Sequence, residues 1–356
     1  ARGSRTSILL FMKFNNVALH SIRLSLPEEI WTSEYIENQF ADTYQSMRLS
    51  VGRLELMTGI RERRVWSPDF LPSVEAGKVG KALLDDSGIA PGKIGLLMHC
   101  GVCRDRLEPA TASYVHHQIG LPQCVQIMDL SNACLGFING MIVAASMIES
   151  GLIEAALIVT AENSRGLLEN TIRSIRGLPA NRNAIKPYFA NLTIGSGAVA
   201  ALLCHSRLSS GIARLQSAVV RTDSSHHGLC EGGHSDTGAG HEMLTDSESL
   251  LIAGIRLASA TWADFKSSTG WTDDSIRHTL CHQVGKMHQA ALYDTLGIDR
   301  AKDFSIYPEL GNMGSAALPA TLSKAVEANL FNSGDRFAML GIGSGITSMM
   351  LALQWQ

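Results

Sequence analysis

The stretch VQIMDLSNACLGFINGMIVAASMIES (125–150) reads as a strand, a sharp polar turn and a buried helix in immediate succession. VQIMDL (125–130) is an apolar run of strand length. Ser131 or Asn132 is placed to cap a helix running from Ala133 to about Glu149, with Cys134 in its first turn. Free backbone N–H groups and the helix dipole at that point favour a thiolate, the form of cysteine that attacks. The same N–H groups can face an oxyanion. An inert core thiol is the alternative, because cysteine is among the most buried residue types.

Outward from this stretch the pattern is mixed α/β. SVEAGKVGKALLDDSG (73–88) puts Val74, Val79, Ala82 and Leu83 on one helical face. GKIGLLMHCGV (92–102) and EAALIVTAE (154–162) read as further strands. The second half predicts helices over 250–266 and 314–330, with strands over 276–284, 302–310 and 335–343. The two halves share their spacing. Cys100 to Cys134 is 34 residues and Cys281 to Asn312 is 31; Cys134 to Val159 is 25 and Asn312 to Leu340 is 28. This predicts a duplicated α/β fold, with halves over 12–205 and 206–356 joined near HSRLSSG (205–211). Chance similarity between two α/β segments is the competing account. Residues 1–11 read as leader sequence, with Met12 as a native start.

Composition narrows the classes. The chain has 356 residues, 45% apolar and 18% charged, with a net charge of −3. Disorder is excluded as the dominant state, and no electrostatic case exists for a polyanion partner such as nucleic acid. The most apolar window, 138–159, is interrupted by Glu149, Gly151 and Glu154, whereas a membrane span needs about 20 largely uncharged residues. Seven cysteines spread over a long chain do not read as a disulfide framework, which points to a reducing, cytoplasmic setting.

Two further residues fit beside Cys134. His282 follows a strand in TLCHQVG, and Asn312 sits at a strand-to-helix turn in ELGNMGSAALP, positions equivalent to the turns around Cys100 and Cys134. A duplicated fold brings both sets of turns to one cleft, where a thiol, an imidazole and an amide can attack an acyl carbonyl and hold an enolate. Taken singly, His282 is as well explained as a structural histidine and Asn312 as a helix cap.

NACLGF, CHQVG, GNMGSAALP and GIGSGIT (341–347), preceded by TGIRERR (58–64), resemble in order and spacing the motifs of thiolase-superfamily condensing enzymes of the ketoacyl synthase III branch. The resemblance runs from about Met12 to the end of the chain. It implies a five-layer α-β-α-β-α fold, acylation of Cys134, activation of a second substrate by His282 and Asn312, and an oxyanion hole from the backbone N–H groups of Cys134 and Ser344. CRDRLEPATAS (103–113) is similar to the element that marks the OleA group, which joins two fatty acyl-CoA chains head to head. By that likeness Glu108, 26 residues before Cys134, is the base, and it reaches into the partner's active site of an obligate homodimer. The chemistry explains the need. A malonyl donor forms its carbanion by losing carbon dioxide, whereas an unactivated acyl-CoA must lose an α-proton to a base. Burial beside apolar chains would raise the basicity of Glu108; a surface glutamate before a proline is the plainer account.

The resemblance implies CoA thioesters as substrates, no other cofactor and no metal, with an acyl carrier protein or downstream enzymes as further partners. A decarboxylating synthase III using a malonyl donor is the second enzymatic reading, and a non-catalytic acyl- or CoA-binding relative the reading from another class. Arg53-x-x-x-Met57 stands where initiating synthases carry W-x-x-x-R, so their adenine clamp is absent. Cys100-x-x-Cys103 lacks a redox context, and SSHHGLCEGGHSDTGAGH (224–241) matches no standard zinc spacing. The basic stretch Arg61–Arg64 reads as a solvated face.

Overall fold

The computed structural model describes residues 11–179, 181–234, 241–282 and 284–356. Strands β1 (Phe11–Lys13) and β2 (Val17–Ser25) come first. The pair β3 (Glu29–Thr32) and β4 (Glu62–Val65) then brackets three short helices, α1 (Ser33–Asn38), α2 (Ala41–Ser46) and α3 (Arg53–Thr58). The alternating run α4 (Pro72–Ser87), β5 (Ile94–Cys100), α5 (Thr111–Ile119), β6 (Gln126–Leu130), α6 (Gly136–Glu149) and β7 (Ala155–Glu162) follows. Helices α7 (Arg165–Gly177) and α8 (Arg182–Ile185) precede β8 (Gly197–His205). After β9 (Ala213–Thr222) come the hairpin β10 (Cys230–His234) and β11 (His241–Thr245), then α9 (Ser247–Thr269) and β12 (His278–Cys281). The chain finishes with α10 (Lys286–Leu296), α11 (Tyr307–Leu310), α12 (Ala317–Glu327), β13 (Arg336–Gly343) and β14 (Thr347–Trp355).

Pairing reveals the duplication. The first half is ordered β6-β5-β7-β8-β2, and the second β12-β13-β14-β9. In the first, β5 runs parallel to β6 and β7, and β8 antiparallel to β7 and β2. In the second, β12 runs parallel to β13, and β14 antiparallel to β13 and β9. Thus β2, β5, β7 and β8 correspond to β9, β12, β13 and β14. The corresponding strands β2 and β9 pair antiparallel at Ala18↔Arg214 and Leu19↔Ala213, joining the halves. Phe11, read as leader sequence, begins β1 and pairs with Val219; residues 1–10 lie outside the described residues.

Alternation along each strand builds the layers. On β5, Leu96, Met98 and Cys100 face α6 and α12, while Leu97 faces α4 and α5. Phe337, Met339, Met349 and Leu351 of the second half meet the same two central helices. Its opposite face, with Leu340 and Met350, packs on Trp262 and Phe265 of α9 and Leu292 of α10. The result is the five-layer order α4/α5, sheet, α6/α12, sheet, α9/α10. Every residue of β7 is buried because both its faces are covered.

Local sequence explains the boundaries. Pro72 opens α4 at a position that needs no donor, and Gly88 ends it in the left-handed region at φ 72°. Gly140 lets α6 lie close on β5, since a Cβ there would stand 2.5 Å from Cys100 Sγ. Two expectations fail. No strand forms over 302–310: only Asp303 bridges Thr279, and 307–310 is helical. Nor is all of Arg61–Arg64 a solvated face: Arg61 is exposed, but Arg63 is not. Arg63 is fully buried, and its guanidinium donates to Trp31 O, Ser33 Oγ and Leu192 O at 3.3, 3.0 and 2.8 Å. Burial lowers its pKa to about 10. A planar fork of donors meets two carbonyls and a hydroxyl in the interior.

Candidate active site

Cys134 stands at the turn between β6 and α6. Ala133, just before it, is held at φ 46°, a region that a side chain with a Cβ rarely enters. The thiol lies two residues ahead of the helix, whose first residue is Gly136, so it is not inside the first turn as expected. The expected caps are also absent: Asn132 Nδ2 donates to Asn139 Oδ1 at 3.0 Å. A serine from the other half does the work instead. Ser315 Oγ accepts Phe137 N–H at 2.8 Å and donates to Cys100 O at 3.0 Å, tying α6 to the end of β5.

The dipole does not decide the state of the thiol. Burial, followed by the neighbouring Cys230 and Glu162, pushes Cys134 up to about 12, against its own backbone N–H, which acts in the opposite direction. Desolvation of the charged form outweighs the donors, which favours the neutral thiol over the thiolate.

From the second half, His282 follows the end of β12, and its N–H donates to Leu340 O at 2.8 Å. Its Nδ1 is buried without a hydrogen-bond partner among the described residues. Burial, with His288 nearby, holds the ring pKa at about 3, so the imidazole is neutral and donates one N–H. Asn312 is fixed by its backbone. Its N–H donates to Thr193 O at 2.9 Å, and its O accepts Gly195 N–H at 2.8 Å. Asn312 Oδ1 accepts Gly314 N–H at 3.0 Å, which orients the amide and leaves its NH₂ to donate. Gln283 lies outside the described residues.

The motifs converge through close backbone approaches. A Cβ on Gly341 would stand 2.6 Å from Leu135 Cδ2, and one on Gly343 3.0 Å from Leu135 Cγ. The glycine loop therefore lies directly on the residue after Cys134, with Ser344 next along the chain. His282 reaches the same place through Leu340, and Asn312 through Gly314, where a Cβ would be 3.6 Å from Glu162 Cδ. Glu108 does not join them. It is exposed, with Leu107 beside it 89% exposed, on the loop between β5 and α5. Within one chain, therefore, nothing buries Glu108.

Glu162 and Ser315 were not anticipated. A carboxylate ending the wholly apolar run of β7 was the available signal for the first, and the serine of GNMGSAALP for the second. Cys100 and Cys103 form no pair: the first faces Gly140, and the second accepts Asn163 N–H at 3.4 Å. Among the described residues no cluster fit for a metal occurs, and no helix is long and apolar enough to cross a membrane. Residues 235–240 of the histidine-rich segment lie outside the described residues.

A family model described as 3-oxoacyl-[acyl-carrier-protein] synthase III matches residues 128–180, and one for its C-terminal part matches 267–355. The chain is 35% identical over 350 residues to the acyl-CoA:acyl-CoA alkyltransferase of Shewanella oneidensis, covering 97% of this chain and all of the relative. It is 36% identical over 345 residues to that of Xanthomonas campestris, with the same coverage. The solved structure of cerulenin-bound OleA from Xanthomonas campestris superposes with a TM-score of 0.92 at 35% identity, covering 97% of this chain and 98% of the other. Further solved variants of that protein replace one cysteine, one glutamate and one histidine; that glutamate and cysteine are 26 residues apart. A ketoacyl synthase III from Bacillus pumilus is 23% identical over 340 residues. Fold and site define a condensing enzyme of the thiolase superfamily, an acyltransferase. Within it, the chain belongs to the OleA family of acyl-CoA:acyl-CoA alkyltransferases.

Proposed function

We propose that this chain is a cytoplasmic, homodimeric acyltransferase that joins two long-chain acyl-CoAs head to head, without decarboxylation, into a β-ketoacyl product. By the family likeness this begins the synthesis of long-chain olefins or ketones. Cys134 Sγ attacks the first thioester; the carbon–sulfur bond to coenzyme A breaks, and the thiol proton leaves with the coenzyme A thiol. Backbone N–H groups of Cys134 and Ser344 hold the tetrahedral oxyanion. Glu108 then takes an α-proton from the second acyl-CoA, and the neutral His282 and the Asn312 amide donate to the enolate oxygen. The enolate carbon attacks the acyl-enzyme, a carbon–carbon bond forms, and Cys134 leaves and regains a proton from Glu108.

Glu108 is the observation that carries this reading. It precedes Cys134 by 26 residues, the separation of the glutamate and cysteine replaced in the Xanthomonas structures. Its exposure, with Val102 and Leu107 uncovered on the same loop, suits a residue that completes the site of a second copy. The outer edge of β6, where Ile127 is exposed, is an unpaired strand edge on the same side of the sheet and offers a surface for that copy. Seven free cysteines suit a reducing compartment. The chemistry needs no resident cofactor or metal beyond the thioesters, and an acyl carrier protein remains a partner for delivery.

The test is incubation with one long-chain acyl-CoA and no malonyl donor. A β-keto acid, or the ketone from its breakdown, is expected. Product that forms only once a malonyl donor is added would replace this reading by the decarboxylating one, which the synthase III family models favour.

A further inference from the structure

The loop that carries Glu108 is held at several points, and a hold at its root belongs to a residue outside the set above. Glu162, at the end of β7, is 5% exposed. Its Oε1 accepts Val102 N–H at 2.9 Å and its Oε2 accepts Cys103 N–H at 3.3 Å, at the root of the loop. Farther along, Asp105 Oδ1 accepts Ser73 N–H at 3.0 Å, tying the loop to α4. At its far end the Asp129 carboxylate accepts Thr111 and Ala112 N–H at 2.7 and 2.8 Å, where α5 begins.

The Glu162 hold also touches the turn that carries Asn312. A Cβ on Gly314, two residues past Asn312, would lie 3.6 Å from Glu162 Cδ, and one on Gly101 2.9 Å from Oε1. Burial raises the pKa of Glu162 while the Val102 and Cys103 donors lower it, and the carboxylate is close enough to raise Cys134.

We infer that Glu162 is a positioning residue for the condensation step, clamping the root of the Glu108 loop to the turns that carry Cys134 and Asn312. This rests on the reading of Glu108 as the base. A carboxylate presents two acceptors to the two N–H groups; a glutamine presents one, and turns a donor toward the other. The loop root loosens, while the turn of Cys134, held by Ser315 and by its own backbone, stays in place. A displacement of the order of 1 Å at a proton-transfer group is enough to cost a large rate factor.

Full-length Glu162→Gln, Gly101→Ala and Glu108→Ala are compared for two readouts: the acyl adduct on Cys134 by intact mass, and the β-keto product. Gly101→Ala crowds the same carboxylate from the loop side, so it decides the matter should Glu162→Gln not fold. Both clamp variants are expected to lose about tenfold or more in condensation, while acylation is not lowered; in Glu162→Gln, loss of the charge can only ease ionisation of Cys134. A general loss of stability would lower both readouts together. Equal loss of acylation and condensation, or unchanged condensation, would overturn the clamp. If Glu108→Ala itself condenses normally, the reading of Glu108 fails; if it is dead while both clamp variants are normal, only the clamp fails.

Discussion

The two halves share a strand order but finish it differently. In the first, β6 lies beside β5 over five paired residues and leaves its outer edge open. In the second, the matching chain meets β12 only at Asp303, and a polar network fills the place of a strand. Tyr293 OH donates to Asp303 and lies 2.9 Å from Thr279 Oγ1; Gln289 Nε2 donates to Ser305 Oγ at 2.6 Å. The difference matches the chemistry. On the proposed reading, the first half supplies the groups that change bonding, the thiol and the loop-borne carboxylate. The second supplies fixed donors, a neutral imidazole and an amide, on a closed and braced edge.

Variants can break this division, beginning with the largest effect. Cys134→Ala should abolish both the acyl adduct and the product, checked by intact mass and product extraction. His282→Ala and Asn312→Ala should lower condensation by about 10²-fold or more with a much smaller effect on acylation, if they hold the enolate as fixed donors. Stopped-time assays of the two half-reactions separate these; a loss confined to acylation would move His282 to the nucleophile's side.

Stability variants give smaller effects, one in each half. Gly140→Ala drives a Cβ toward Cys100 Sγ and should cost about 1–3 kcal/mol by overpacking α6 on β5. Tyr293→Phe leaves Thr279, Cys281 and Asp303 each short of a partner and should cost about 1–3 kcal/mol while sparing the half-reactions. Thermal unfolding measures both. If Tyr293→Phe instead abolishes condensation with unchanged stability, the network is more than a brace.

The most gradual effect is on pH dependence. Burial lowers His99 of the first half and His288 of the second to about 4. An unfolded histidine near 6.5 therefore binds a proton where the folded one does not. Stability is full above about 6.5 and falls as pH drops toward 4, by at most about 1.4 kcal/mol per pH unit per group. His99→Gln or His288→Gln should flatten that slope in denaturant titrations at pH 7 and pH 5.

The sequence is most legible where periodicity and turns agree. Helix α4 and strands β5, β6, β7 and β13 fall within two residues of their expected bounds, because apolar spacing and glycine stops coincide there. KDFSIYPEL was misread because its alternation serves side-chain bonds to Asp303 and Ser305, and Pro308 starts a helical turn. RERR was misread because charge alone does not show that two carbonyls and a hydroxyl from distant segments meet Arg63. The order of Cys134, His282 and Asn312 could be read from their motifs. The neutral thiol could not, since it depends on how much water the turn excludes, and no local pattern carries that. Glu162 is legible only once β7 is seen to end under the Glu108 loop.

The most direct test of the central claim is Glu108→Ala given a single long-chain acyl-CoA. The account predicts that Cys134 gains its acyl mass as in the parent while no β-keto product forms. Product at the parent rate would contradict it, because the α-proton would then have another acceptor.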